Sequence, residues 1–226
     1  DGTFDAKAAA AVWAEPVEDA PEYLRVLVGA SLLSDAGDGR YDQHALLRAH
    51  ARARMSLEEK RATFDRYADH VIMLTLQFDQ LPREEWKQLD PEVPHIDAVG
   101  DELMRLFNAS QFTDTALRYR SGAFSWNTMR YLYHRLQAVF TEEMGQRRPT
   151  RIAWMEMGRS YWRETNNPQR EAATLTNIGL AWYDLGENRK ALDFLEQALS
   201  LRLVVGDRGG EAVTLNNIGL VWAALG

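Results

Sequence analysis

The chain has 226 residues, a formal net charge of −7 at pH 7 and no cysteine. Its length allows one or two domains with a substantial core, and its acidic balance argues against a general nucleic-acid-binding protein. The lack of cysteine excludes disulfides, thiolate metal ligands and cysteine nucleophiles, which fits a reducing, cytoplasmic setting. No apolar run approaches the ~20 residues that a membrane-spanning helix needs.

The first quarter of the chain predicts helices interrupted by one short hairpin. Phe4–Ala14 is alanine-rich, and Pro21–Leu33 begins with a proline that suits a first helical turn. The stretch Ser34–Tyr41 is rich in turn-forming residues, and its Asp38-Gly39 pair is typical of a β-hairpin. Helix is predicted again from His44 to Met55.

A longer helix is predicted after residue 56. Ser56 and Glu59 have the spacing of a capping box, in which each side chain bonds to the backbone N–H of the other residue. The helix carries one apolar stripe and ends near Pro82, and residues 83–95 are predicted to be a linker. The stripe consists of Phe64, Tyr67, Val71, Leu74 and Phe78.

Most of the remaining chain also has helical periodicity. We therefore predict a mainly α protein with a winged-helix unit, a helical linker and antiparallel helix pairs that form an α-solenoid. The predicted parts are residues 1–56, 57–148 and 149–226. The predicted helices after the linker are residues 96–109, 113–127, 129–144, 151–165, 169–185, 188–204 and 211–225.

One sequence occurs twice, and the copies lie 40 residues apart. Residues 171–186 read EAATLTNIGLAWYDLG, and residues 211–226 read EAVTLNNIGLVWAALG. A repeat of fixed period is typical of stacked units, each of which covers the apolar face of its neighbour. The repeat indicates a binding surface rather than an active site. Because the second copy ends where its partner helix is expected, we also expect the chain to be part of a longer protein.

The repeat resembles the tetratricopeptide repeat (TPR). In that pattern Gly179 lies where two helices approach closely, and Gly186 caps the end of the first helix. Departures from the pattern are a period of 40 residues instead of about 34, and four substitutions: Leu175 in place of tryptophan, Trp182 in place of tyrosine, Leu195 in place of phenylalanine and Leu203 in place of proline. Residues 113–165 are expected to hold degenerate helical hairpins. The matching positions are Leu175, Ile178, Gly179, Trp182, Ala191, Leu195 and Ala198.

Asparagine recurs in both copies of the repeat, at Asn177 and Asn217. These positions resemble the long-period repeats of kinesin light chains, whose asparagine binds a peptide backbone in the concave groove. An amide offers both a donor and an acceptor to a main chain; the alternative is that both asparagines bond within the helix stack. The predicted surface for a protein or peptide partner faces away from the paired helix and consists of Thr176, Asn177, Leu180, Tyr183, Asn216, Asn217 and Leu220.

The order helix, helix, hairpin, helix over residues 4–55 is that of a winged-helix unit. The segments LRVLVGASLL at residues 24–33 and RYDQHALLR at residues 40–48 resemble the winged-helix subdomain of NB-ARC (STAND) signal-transduction NTPases. The segment EVPHIDA at residues 92–98 resembles the linker helix before their repeats. The resemblance implies the regulatory, partner-binding segment of a nucleotide-switched NTPase. The alternative is the C-terminal part of a STAND-type transcriptional regulator, with its effector domain outside this segment.

His44 is the candidate nucleotide-sensing residue that this resemblance implies. It matches the histidine of the family's Met-His-Asp motif, which contacts the β-phosphate of bound ADP, although Gln43 and Ala45 replace the Met and Asp. The alternative is that His44 caps its own helix or packs against Tyr41. ADP or ATP is expected only in the full-length protein, and no cofactor is expected for this segment.

The sequence contains no P-loop, no His-Glu-x-x-His motif and no Ser-His-Asp grouping, so no catalytic or metal site is predicted and the chain is not expected to be an enzyme. Residues 40–66 hold seven basic and four acidic side chains, and residues 1–39 hold two basic and eight acidic ones. The acidic neighbourhood would repel phosphates, so we expect the basic face to dock on an upstream nucleotide-binding domain rather than on DNA. The open apolar face of residues 211–226 predicts self-association.

Overall fold

A computed structural model describes residues 3–79, 91–110, 119–126 and 148–226, together with residues 82, 85 and 88. The described part of the chain is mainly helical, which confirms the predicted class, and it contains one small antiparallel sheet. Two compact units are present, Asp1–Asp101 and Glu102–Gly226. Within the described residues, no helix is both long enough and apolar enough to cross a membrane.

The first unit combines a three-stranded sheet with helices, the last of which continues past residue 101. Its strands are β1 (Phe4–Asp5), β2 (Ser34–Gly37) and β3 (Arg40–Asp42). Its helices are α1 (Ala6–Trp13), α2 (Ala20–Gly29), α3 (Ala45–Arg54), α4 (Leu57–Asp79) and α5 (Val93–Ser110).

The sheet confirms the predicted hairpin and adds one strand to it. Its order is β1-β3-β2, with both pairs antiparallel. Gly37 at the end of β2 and Gly39 in the turn before β3 have φ angles of 86° and 71°, which glycine adopts without strain. The prediction that a helix begins at Phe4 is wrong. Phe4 pairs with Tyr41 in the sheet, and the Asp5 carboxylate accepts from the Ala8 N–H at 2.8 Å, so Asp5 caps α1.

The start of α4 confirms the predicted capping box. The Ser56 N–H donates to Glu59 Oε2 at 2.7 Å, and the Glu59 N–H donates to Ser56 Oγ at 3.1 Å. Val71 of the predicted apolar stripe is fully buried, whereas the Phe78 side chain lies outside the described residues. The prediction that the linker extends to residue 95 is wrong, because α5 begins at Val93. Pro94 fits its first turn, where a missing N–H removes no helical hydrogen bond.

From residue 148 onwards, where every residue is described, the second unit contains four long helices of nearly equal length. These are α6 (Arg148–Glu164), α7 (Pro168–Asp184), α8 (Asn188–Val205) and α9 (Arg208–Leu225). Of the helices predicted at residues 113–127 and 129–144, only residues 119–126 fall within the described part of the chain, and they are helical.

The turns between these helices recur every 20 residues and share one geometry. They contain Asn166, Gly186 and Gly206 at φ angles of 52°, 77° and 71°. In each turn the N–H of the next residue donates to the carbonyl five residues earlier, at 2.8–3.0 Å. This is the hydrogen bond of a Schellman-type helix end, so the predicted cap at Gly186 is confirmed. One helix pair therefore accounts for the 40-residue period of the sequence.

Gly179 allows α7 and α8 to pack closely, as predicted. A Cβ at this position would lie 2.8 Å from Leu195 Cγ and 3.1 Å from the Ala191 carbonyl oxygen. Leu175, Ile178, Ala191 and Leu195 are all at most 1% exposed around this crossing. The small residues of one helix thus receive the large residues of the other, which is how antiparallel helices interdigitate.

Candidate functional site

Helices α7 and α9 present one face with the same residue pattern, which we call the amide face. Residues three and four apart lie on the same side of a helix, so the asparagine and leucine of each copy share a face with two further residues. In both helices this face is partly or fully exposed. The amide face consists of Ala173, Asn177, Leu180 and Asp184 in α7, and of Val213, Asn217, Leu220 and Ala224 in α9.

The two asparagines of the amide face are half-buried. Asn177 Nδ2 donates to the Ala173 carbonyl oxygen at 2.9 Å, one turn earlier in the same helix. This is the hydrogen bond within the helix stack that the alternative interpretation predicted. It involves only two residues of α7, so the bond does not hold α7 to its neighbours.

Thr176 and Tyr183 do not belong to an open face that points away from α8. Thr176 is 5% exposed, and its hydroxyl accepts from Arg202 Nη2 of α8 at 3.3 Å. Tyr183 packs against the buried cluster that α8 and Val221 of α9 form. The prediction that these two residues face away from the paired helix is therefore wrong. Asn216, which occupies the position of Thr176 one repeat later, is exposed.

Arg202 is the residue of α8 that bonds to the buried Thr176, and the sequence did not single it out. Besides Thr176, its guanidinium donates from Nη1 to Asp207 Oδ2 at 2.7 Å. The guanidinium occupies the space above Gly210, where an added Cβ would meet Nη1 at 1.4 Å. Hydrogen bonding from the Gly210 N–H, and then the charge of Arg202, keep the pKa of Asp207 below its ordinary value. This network joins the end of α8 to the start of α9.

A second polar group joins α6 to α7. The buried carboxylate of Glu171 pairs with Arg163 Nε at 3.0 Å and Arg159 Nε at 3.7 Å. The Arg170 guanidinium lies 4.7 Å from the ring centroids of both Trp126 and Trp162, within the range of a cation–π interaction. These charged side chains hold helices together, so their role within the described residues is to stabilise the unit.

His44 lies at the start of α3 and caps that helix. Its Nδ1 accepts from the Leu46 N–H at 3.3 Å, and its side chain is exposed. The cap is one of the two alternatives that the sequence left open for this residue. Helix α3 contains no buried residue, and His50, Arg52 and Arg54 are exposed along it. The structure thus places an imidazole and several exposed cations on one short helix.

A cluster of polar side chains ties β1 and β3 to α4 and α5 in the first unit. The Tyr67 hydroxyl bonds to His95 Nδ1, and His95 Nε2 bonds to the Thr3 carbonyl oxygen at 2.7 Å. Arg40 Nε donates to Thr3 Oγ1 at 2.7 Å, and its Nη1 pairs with Glu92 Oε1 at 2.5 Å. Burial, reinforced by the charge of Glu92, raises the pKa of Tyr67 far above its ordinary value, so the phenol stays protonated as a donor. Each of these groups bonds to another group of the cluster, so the cluster holds the strands and helices together. We call it the clamp.

His70 lies near this clamp and is half-buried. Burial is the main reason why its pKa lies below the ordinary value, because a buried imidazolium loses its hydration. The charges that act on His70 partly cancel: Asp5 and Glu92 raise its pKa, whereas His95 and Lys7 lower it.

Among the described residues, no group of three His, Asp or Glu side chains is placed to hold a metal ion. No family model, no curated protein and no solved structure matches this chain. The amide face of α7 and α9 is therefore the candidate site with the clearest support from this chain's own residues, because its pattern recurs in both copies of the repeat.

Proposed function

We propose that this chain is the regulatory and partner-binding segment of a nucleotide-switched signalling NTPase of the NB-ARC (STAND) class. In this proposal the first unit is a winged-helix subdomain, α6–α9 are TPR repeats, and the amide face binds a protein or peptide. One observation carries the binding site: Asn177 with Leu180, and Asn217 with Leu220, occupy the same face of two helices one repeat apart. The location is the cytoplasm.

The chemistry of the amide face suits an extended peptide. Each copy offers an amide, which can both donate to and accept from a main chain, beside a leucine that can bind an apolar side chain. The Asn177 bond to the Ala173 carbonyl is local to one helix, and a bond to a peptide main chain could replace it. Two such sites, one on α7 and one on α9, would bind a peptide at two points along its length.

The first unit supports the nucleotide-dependent part of the proposal. His44 is an exposed imidazole at the N-terminus of a helix, where backbone N–H groups and the helix dipole favour a phosphate. The exposed His50, Arg52 and Arg54 suit an acidic surface on an upstream nucleotide-binding domain. ADP or ATP would be held by that domain, since this sequence has no P-loop.

The binding site can be tested with selected peptides. A random peptide library displayed on phage is panned against the chain, and dissociation constants of enriched peptides are measured for the wild type and for Asn177→Ala/Asn217→Ala. We expect a loss of roughly 1–3 kcal/mol, or about 5- to 150-fold, which is the cost of leaving peptide polar groups unpaired. Circular dichroism should stay unchanged.

Gln197→Ala is the matched control, because it removes an exposed side-chain amide from α8, outside the predicted partner surface. Equal weakening by the control, or undiminished binding by the double variant, would place the peptide elsewhere. A collapse of helicity in the double variant would show that the two asparagines are structural.

A further inference from the structure

Helix α9 leaves open a face that its repeat equivalent, α7, has covered. Leu175 is 1% exposed, whereas Leu215 at the same position of the next copy is 48% exposed. A Cβ on Gly179 would collide with Leu195, whereas a Cβ on Gly219 has no atom within 4 Å among the described residues. Trp222 is likewise 57% exposed. Ala212, Leu215, Gly219 and Trp222 thus form an exposed apolar strip, which we call the end face.

The covered copy shows what kind of structure fits the end face. Helix α8 covers α7 with a stripe in which two leucines lie between two alanines: Ala191, Leu192, Leu195 and Ala198 are all buried. Its Leu195 fills the space that Gly179 leaves. Because α9 repeats the sequence of α7 at these positions, the complement of the end face is an antiparallel helix with the pattern Ala-Leu-x-x-Leu-x-x-Ala.

A second copy of the chain supplies this complement less well. Within the described residues, the stripe of α8 already covers α7 and is not exposed. A second copy would have to present its own end face instead, which repeats the α7 side of the α7–α8 pair and not the α8 side.

We propose that the end face of α9 binds an amphipathic helix, outside these 226 residues, that carries an α8-like stripe of alanine and leucine. The proposal depends on the repeat and its packing and is independent of what the amide face binds. The end face lies on a different side of α9 from Asn217 and Leu220, so the two surfaces can be occupied together.

A helical peptide with the sequence of α8, Asn188–Val205, is the probe for this proposal. An isolated helix of this length is marginal in water, so the peptide is held helical by a lactam between Asp193 and the lysine of Gln197→Lys. Both positions are exposed on α8, away from its buried stripe. Fluorescence anisotropy of the labelled peptide, titrated with the whole chain, should show saturable binding.

Gly219→Leu fills the space that the probe's leucine needs and should weaken binding about tenfold or more. Its own fold should be unaffected, because nothing lies within 4 Å of the new Cβ, and circular dichroism checks this. Leu215→Ser is a second variant that removes apolar area without adding bulk. Ala224→Leu is the matched control: it adds the same side chain to an exposed position of α9 on the amide face, and it should bind the probe as the wild type does.

Absence of saturable binding, or equal binding by Gly219→Leu and the wild type, would overturn the proposal. Sedimentation velocity tests the competing occupant. A dimer that Gly219→Leu abolishes and the helical peptide fails to dissociate would show that a second copy covers the end face, and would also refute the proposal. A failure here leaves the peptide-selection result on Asn177 and Asn217 unaffected, so the two ideas fail separately.

Discussion

Gly179 and Gly219 occupy the same position of two copies of one sequence, and we predict that alanine acts on them with opposite sign. In a helix, alanine is about 1 kcal/mol more favourable than glycine. At Gly219 the new methyl group meets nothing within 4 Å, so Gly219→Ala should stabilise the chain by roughly 0.5–1 kcal/mol.

At Gly179 the same substitution has no free space for the new methyl group. The methyl carbon would lie 2.8 Å from Leu195 Cγ and 3.1 Å from the Ala191 carbonyl oxygen, which belongs to the backbone of α8. Side chains and backbone must shift, and overpacking of a well-filled core costs about 1–3 kcal/mol. After the helix-propensity gain of about 1 kcal/mol is subtracted, Gly179→Ala should destabilise the chain by roughly 0–2 kcal/mol.

The comparison is informative because the propensity gain is common to both variants and cancels in their difference. The two free energies of unfolding should therefore differ by about 1–3 kcal/mol, which is the packing cost alone. Urea unfolding, followed by the far-ultraviolet circular dichroism of the helices, measures this difference. Equal stabilisation by both alanines would refute the close α7–α8 crossing and, with it, the packing on which the end face is inferred.

Three further changes test the first unit. Ser56→Ala should raise the pKa of Glu59 towards its ordinary value without reaching it, because the backbone N–H of residue 56, the main cause of the lowering, still donates; an NMR titration measures this. Since burial lowers the pKa of His70, the unfolded chain takes up a proton that the folded chain resists as the pH falls below about 6.5, so stability is lost in that range; thermal unfolding at about pH 7.5 and about pH 5.5 should show a smaller loss in His70→Gln. His44→Ala should lower the melting temperature of this chain only slightly, because the cap that it removes belongs to α3, which buries no residue, but should speed ADP release from the full-length protein; an unchanged release rate would remove His44 from nucleotide sensing.

Features that depend on neighbouring residues could be predicted from the sequence. The capping box of Ser56 and Glu59, the Asp38-Gly39 turn and the cap at Gly186 each involve residues no more than a few positions apart. Their geometry follows from local backbone preferences. The close crossing at Gly179 was also predictable, since the repeat aligns a glycine with a small-and-large stripe in the next helix.

Contacts between distant residues could not be predicted in this way. The strand at Phe4 depends on Tyr41, and the clamp joins Thr3 to His95, so neither has a signal within a short window of sequence. The prediction that Thr176 faces away from α8 was wrong for a related reason. The repeat shows which positions are equivalent but does not show which neighbour contacts each position, and Arg202 of α8 bonds to Thr176.

The two surfaces on α9 differ in whether the equivalent residues of α7 are exposed. The amide face is at least partly exposed in both α7 and α9, as expected of a surface that a ligand approaches from solvent. The end face is exposed in α9, whereas the equivalent residues Leu175 and Gly179 are covered in α7, as expected of an interface between stacked helices. Peptide binding at the amide face should therefore need Asn177 and Asn217 together, because each copy supplies one amide. Helix binding at the end face should depend on Gly219 and should not depend on Asn177, because α7 already has its partner helix.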